Sequence, residues 1–161
     1  MNLHLPRSPV LLIICIAVPL LAGVSGSFAT ISSIPTWYAS LIKPPLTPPD
    51  WVFGPVWTTL YILMGIALYL VAREGIENKP VTQGIIVFTA QLIVNILWSI
   101  VFFGLQSPLY GLVTILVLIA LVLATIYYFY RVSPIAAWLL VPYIAWVCIA
   151  TYLNAMILVL N

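Results

Sequence analysis

The sequence predicts an all-α membrane protein: a five transmembrane helix bundle with a long ordered loop between helices 1 and 2. Three observations predict it. Of the 161 residues, 65% are hydrophobic and 5% charged, about one fifth of the charge an ordinary soluble domain carries. Mean hydropathy is +1.24. Finally, the charged residues Arg7, Lys43, Asp50, Arg73, Glu74, Glu77, Lys79 and Arg131 all fall outside five apolar runs or at their ends. The runs lie at roughly 10–30, 51–72, 81–105, 108–130 and 134–159, each long enough to cross a hydrocarbon core of about 30 Å. Strands of a barrel would show short alternating segments instead, and none is present. The chain reads as a single domain over 1–161.

The first run follows Arg7 and contains Pro19, Gly23 and Gly26, residues that suit close helix packing or a mild kink. A basic residue, an apolar run and the small residues around Gly23 and Ser27 also resemble a cleaved signal. The run continues through Phe28 and Ile31, longer than a signal core, and is read as a span. Residues Ile31–Asp50 follow as a proline-rich connection with Pro35, Pro44, Pro45, Pro48 and Pro49. Proline resists helix and favours extended backbone. The same stretch carries Trp37, Tyr38 and Leu41, which have surface to bury. It therefore reads as a lid or binding loop, the alternative being an interfacial aromatic belt.

In the second run Trp57, Tyr61 and Gly65 share a stripe. In the third, Gln91, Asn95 and Ser99 recur every fourth residue beside Trp98 and Phe102. In the fifth, Tyr143, Trp146, Ala150 and Asn154 fall near helical spacing. Counting from the helix starts puts Trp57 roughly 9 Å below the long-loop surface, and Asn95 about the same depth. Trp146 and Ala150 lie about 18 and 24 Å up from the opposite side. These groups converge in the half of the bilayer beneath the proline-rich loop. Aromatic walls, an amide or two and a loop as roof describe a small-molecule pocket. The competing reading is that Gln91, Asn95 and Asn154 only hydrogen-bond neighbouring helices.

Several functions are excluded. A net charge of +2 without a basic tract gives nucleic acid nothing to sit on. No Asp, Glu, Lys, Arg or His lies within a span, and proton pumps and voltage sensors need such groups there. His4 is read as a tail residue, and neither metal cluster nor haem-ligating pair is visible. No hydrolytic motif is present. Cys15 and Cys148 are read as small buried apolar residues at different depths that do not pair. Arg7, Arg73, Lys79 and Arg131 on one side, against Lys43 on the other, place the N-terminus in the cytoplasm by the positive-inside rule.

Long motifs carry a resemblance. Trp37-Tyr38, Leu41, Lys43-Pro44, Pro48-Pro49, Trp51, Phe53, Pro55-Val56-Trp57-Thr58 and Leu60-Tyr61 form the first. Gln91-Leu92, Asn95, Trp98-Ser99 and Phe102-Phe103 form the second. Pro142-Tyr143, Trp146, Ala150-Thr151 and Leu153-Asn154 form the third. In this order they resemble the translocator protein family (TspO/MBR, the tryptophan-rich sensory proteins) over nearly the whole chain. The resemblance implies a five-helix fold, commonly homodimeric, with a pocket under the first loop for porphyrins such as protoporphyrin IX or haem-related tetrapyrroles, and for benzodiazepine-like drugs. It implies Tyr38, Pro48, Phe53, Trp57, Tyr61, Asn95, Trp98, Trp146, Ala150 and Leu153 as ligand-binding residues. Trp57 and Trp146 match tryptophans linked in the family to light-dependent porphyrin breakdown, and an indole stacks well on a flat macrocycle. Lys43 is a candidate partner for propionates. The sterol pattern of animal members has no basic residue after Tyr152 to complete it.

The expectation is a membrane receptor, sensor or transporter for porphyrins and similar flat hydrophobic ligands, with lipid as its other partner, no catalytic residue, no cofactor and no metal. The alternatives are an enzyme-like porphyrin degradation through Trp57 and Trp146, and a structural membrane scaffold.

Overall fold

A computed structural model describes residues 9–161, so Arg7 and His4 lie outside the described residues. The described chain is helical, without strands. Helix α1 (Pro9–Ser33) runs on through a wide turn at Ile34–Tyr38. Helices α2 (Asp50–Ala72) and α3 (Lys79–Ser99) follow, α3 ending in a second wide turn at Ile100–Gly104. Helix α4 (Pro108–Val132), the short α5 (Pro134–Leu139) and α6 (Val141–Leu160) complete the fold. Five helical stretches are long and apolar enough to cross a membrane: Pro9–Tyr38, Asp50–Ala72, Lys79–Gly104, Pro108–Val132 and Pro134–Leu160. Prolines open several of them: Pro80, Pro108 and Pro134 stand in first turns, where the missing N–H is no loss. The last span steps at Leu140 because Pro142 has no N–H to offer the preceding turn.

The proline-rich connection is shorter than expected. Helical backbone continues past Ile31 to Ser40, leaving residues 41–49 as the non-helical connection. Pro35 does not end the helix, because Ile34–Tyr38 widens to π geometry around it. The second wide turn closes with Leu105 N–H donating to the Ile100 carbonyl at 2.8 Å. The two wide turns meet: Ser33 Oγ donates to the Phe103 carbonyl at 2.5 Å. Trp37 and Phe102 touch edge to face at 5.5 Å.

The spans form a closed ring in the order first, second, fifth, fourth, third, with the third back against the first. Its core holds Met64, Val71, Val81, Leu118 and Val122, all buried, with Phe88 stacked on Phe129 at 5.6 Å. Helices α1 and α2 come backbone to backbone at Gly65, where an added Cβ would stand 2.4 Å from Ile16 Cα. Nearer the loop they splay apart, and the cavity described below occupies the gap. The outer faces carry Ile13, Leu21, Phe28, Ile93, Leu116 and Leu123 exposed, as a surface bathed in hydrocarbon requires. Cys15 is buried, but Cys148 is exposed on α6. Its apolar run gave no sign of which face it occupies. Both thiols are free, as their different depths require.

Candidate functional site

Where α1, α2 and α3 splay lies a cavity of about 380 Å³, inside the about 300–1,000 Å³ range of small-ligand sites. Trp57, Tyr61, Phe53 and Gly54 of α2 line one wall. Asn95, Trp98 and Ser99 of α3 and Phe103 line another. Leu20, Gly23, Val24, Ser27, Thr30 and Ile31 of α1 line the third, with Ile34, Tyr38 and Asp50 at the loop end. Val24, Ile31, Gly54 and Thr58 are exposed at the rim, so the cavity opens sideways between the first and second spans.

The aromatic wall is continuous. Trp57 stacks on Tyr61 at 5.6 Å and lies 6.3 Å from Trp98 and from Tyr143. Trp98 stacks on Phe102 at 5.8 Å. At the loop end Tyr38 is 5.7 Å from Phe103, and Lys43 Nζ stands 4.2 Å from the Tyr38 ring centroid, a cation–π arrangement. Asp50 sits in the first turn of α2, where the helix dipole favours a carboxylate. The small side chains of α1 are necessary: a Cβ on Gly23 would meet the Tyr61 ring at 2.3 Å.

Behind this wall the polar groups form a chain. Tyr61 OH donates to Asn95 Oδ1 at 2.7 Å. Asn95 Nδ2 donates to Tyr143 OH at 3.2 Å, and Tyr143 OH donates to Gln91 Oε1 at 2.8 Å. Gln91 Nε2 reaches Met64 Sδ at 3.8 Å. The chain ties α2, α3 and α6 together. A second tie runs from Trp98 Nε1 to Asn154 Oδ1 at 3.3 Å and from Asn154 Nδ2 to the Pro108 carbonyl at 2.6 Å. Thr30 and Ser99 join α1 to α3 through their hydroxyls at 3.1 Å. Both sequence readings of the amides therefore hold at once. Asn95 lines the cavity and binds neighbouring helices, while Gln91 and Asn154 only bind helices.

Of the expected ligand-binding residues, Tyr38, Phe53, Trp57, Tyr61, Asn95 and Trp98 share this cavity; Pro48, Trp146, Ala150 and Leu153 do not line it. Ala150 and Leu153 are buried on the inward face of α6. Trp146 sits one ring further back: Phe53, itself on the cavity wall, meets its indole edge to face at 5.8 Å. Its Nε1 is buried without a hydrogen-bond partner. Pro48 belongs to the loop, whose two ends rather than its middle reach the cavity. Sequence reasoning missed the whole α1 wall. The signal was there, in the recurrence of Gly23, Ser27, Thr30 and Ile34 along one helical face. Among the described residues, no three His, Cys, Asp or Glu side chains gather to hold a metal ion.

A bundle of apolar helices with a laterally open aromatic cavity defines a polytopic membrane protein. Residues 15–160 match the TspO/MBR family. The chain is 47% identical to the tryptophan-rich protein TspO of Chlorobaculum tepidum over 150 residues, 93% of this chain and 95% of that one. It is 45% identical to the human translocator protein over 120 residues, 73% of this chain and 70% of that one. It is 40% identical to the tryptophan-rich sensory protein of Cereibacter sphaeroides over 118 residues, 73% and 72% of the two chains. The chain belongs to the TspO/MBR family, and it is an integral, multi-pass membrane protein.

Proposed function

We propose that the chain is a membrane receptor or sensor that binds porphyrins and similar flat apolar molecules in the cavity between α1, α2 and α3. The observation that carries this reading is the juxtaposition of Trp57, Tyr61 and Trp98 on one apolar wall with the Asn95 amide among them. Ring faces supply stacking area for a flat macrocycle, and one placed amide supplies orientation. The lateral opening suits a ligand that partitions into lipid. The names of two relatives, a translocator and a sensory protein, agree with a binding role and leave transport as its extension. A homodimer, with the N-terminus cytoplasmic, completes the proposal.

Titrating protoporphyrin IX into the detergent-solubilised protein in the dark tests it. Saturable binding, weakened at least tenfold in a Trp57→Leu/Trp98→Leu variant, is the expected result. Uptake that never saturates and is equal in both proteins is micelle partitioning, and ends the proposal. A second reading has its own observation: Trp57 on the wall and Trp146 behind Phe53 place oxidisable rings beside the cavity. Illumination of the loaded protein in air separates the two. A new porphyrin product, lost in Trp57→Phe/Trp146→Phe, is light-dependent degradation; an unchanged porphyrin is binding alone.

A further inference from the structure

We propose that Asn161 is a positioning residue for the loop-side wall of the cavity, holding the proline-rich connection closed through the backbone of Ile42. Asn161 caps α6, and its side chain turns across to the connection. The Ile42 N–H donates to Asn161 Oδ1 at 3.0 Å, and Asn161 Nδ2 donates to the Ile42 carbonyl at 3.1 Å. Both polar groups of one peptide residue are thus taken by one amide, as a neighbouring strand would take them. The same Nδ2 donates to the Ile157 carbonyl at 2.9 Å, which fixes the amide on the end of its own helix.

The connection has few other ties. Pro44, Pro45, Pro48 and Pro49 offer no N–H. Its remaining described hydrogen bonds are local: Leu41 N–H to the Tyr38 carbonyl at 3.4 Å, Thr47 N–H and Oγ1 to the Pro44 carbonyl at 3.1 and 2.8 Å, and Val52 N–H to the Pro49 carbonyl at 2.9 Å. Among the described residues, the hydrogen bonds joining residues 41–49 to a distant element are those of Asn161. Packing of half-buried Leu41 and buried Pro44 adds to them. The next residue along, Lys43, lays its ammonium over Tyr38, and Tyr38 is wall to the cavity. The link therefore runs from the end of the last span, through Ile42 and Lys43, to Tyr38. Neither Asn161 nor Ile42 lines the cavity, so the action is through the wall.

The chemistry needs both an acceptor and a donor in one short side chain. Aspartate at 161 keeps the acceptor and loses the donor, setting a charge against two carbonyls. Leucine keeps size and loses both. Glutamine keeps both groups on a longer arm. The link to ligand release rests on the binding reading above; the tie itself does not.

The test uses the full chain in lipid nanodiscs, comparing wild type with Asn161→Leu, Asn161→Asp and Asn161→Gln. Hydrogen exchange at the Ile42 amide reads the tie, and stopped-flow association and release of protoporphyrin IX read its consequence. In Asn161→Leu the Ile42 amide is expected to exchange about tenfold faster, and in Asn161→Asp, which keeps the acceptor for that N–H, by less. Protoporphyrin association and release should both speed up about fivefold, leaving Kd within about twofold, and Asn161→Gln should recover part of both effects. A merely structural loss would lower affinity or melting temperature without accelerating association. Unchanged Ile42 exchange in Asn161→Leu overturns the tie. Faster exchange with unchanged porphyrin rates overturns the positioning role. If wild type shows no saturable uptake, the binding reading fails, while Ile42 exchange still decides whether the tie exists.

Discussion

The phenol of Tyr61 and the amide of Asn95 face each other at 2.7 Å across the α2–α3 boundary, and both line the cavity. One hydrogen bond thus joins two helices and shapes the ligand wall. Its strength is measurable by a double-mutant cycle of Tyr61→Phe and Asn95→Leu. Each single change is expected to destabilise by about 1–2 kcal/mol, since a buried polar partner is left bare. A coupling of about 0.6–1.5 kcal/mol is expected, as for interhelical hydrogen bonds in membranes. Unfolding by a denaturing detergent reads it, and additive losses would show that the two groups do not depend on each other.

Gly65 and Gly54 lie on the same helix and should respond oppositely to alanine. At Gly65 the new methyl meets the Ile16 backbone and, at 2.8 Å, the Cys15 carbonyl. Helices α1 and α2 must part, for a loss of about 1–3 kcal/mol. At Gly54 nothing stands within 4 Å, so alanine should gain up to about 1 kcal/mol of helix propensity. Thermal unfolding of the two variants side by side checks the contrast.

Gly54 also permits a test of the cavity that leaves the fold alone. A phenylalanine there grows from the rim of the cavity into open space. Gly54→Phe is expected to unfold within about 0.5 kcal/mol of wild type. Its affinity for protoporphyrin IX should nevertheless fall at least tenfold. Undiminished binding in the dark titration would place the ligand elsewhere.

Asn154 serves Trp98 with one side-chain atom and the opening turn of α4 with the other. Asn154→Leu strands both the Trp98 indole and the Pro108 carbonyl, an expected loss of about 2–3 kcal/mol. Gly111→Ala should act on the same joint, because its methyl would stand 2.8 Å from Asn154 Oδ1. A fall in melting temperature for both, with the double variant no worse than the sum, is the outcome to look for.

The spans were legible because charge is excluded from hydrocarbon, and Arg73, Lys79 and Arg131 mark the ends of helices plainly. Trp57, Tyr61, Asn95 and Trp98 were legible because a polar or aromatic stripe on an otherwise apolar helix has a direction, while Tyr38 was legible as an apolar anchor of the loop and Phe53 only through the family resemblance. Trp146 and Ala150 show the limit of that logic. Spacing assigns a residue to a face, but only packing decides which neighbour the face meets, and Phe53 stands against Trp146. The α1 wall escaped notice because Gly23 and Ser27 are read as packing residues wherever helices approach closely. The two wide turns leave no compositional mark, since moving a hydrogen bond by one residue changes no side chain. That is also why the helix was not expected to pass Pro35.

The ring order of the spans has a bearing on biogenesis. Every described residue lining the cavity lies between Leu20 and Phe103, so the wall is encoded before α4 begins. A chain inserted from its N-terminus holds the aromatic surface with Asn95 Nδ2 and Trp98 Nε1 still waiting for Tyr143 and Asn154. The final span arrives as a clasp, converting a half-built trough into a fixed shape. Synthesis arrested after the third helix would leave a sticky, under-bonded intermediate, the species a membrane quality-control system would be expected to recognise.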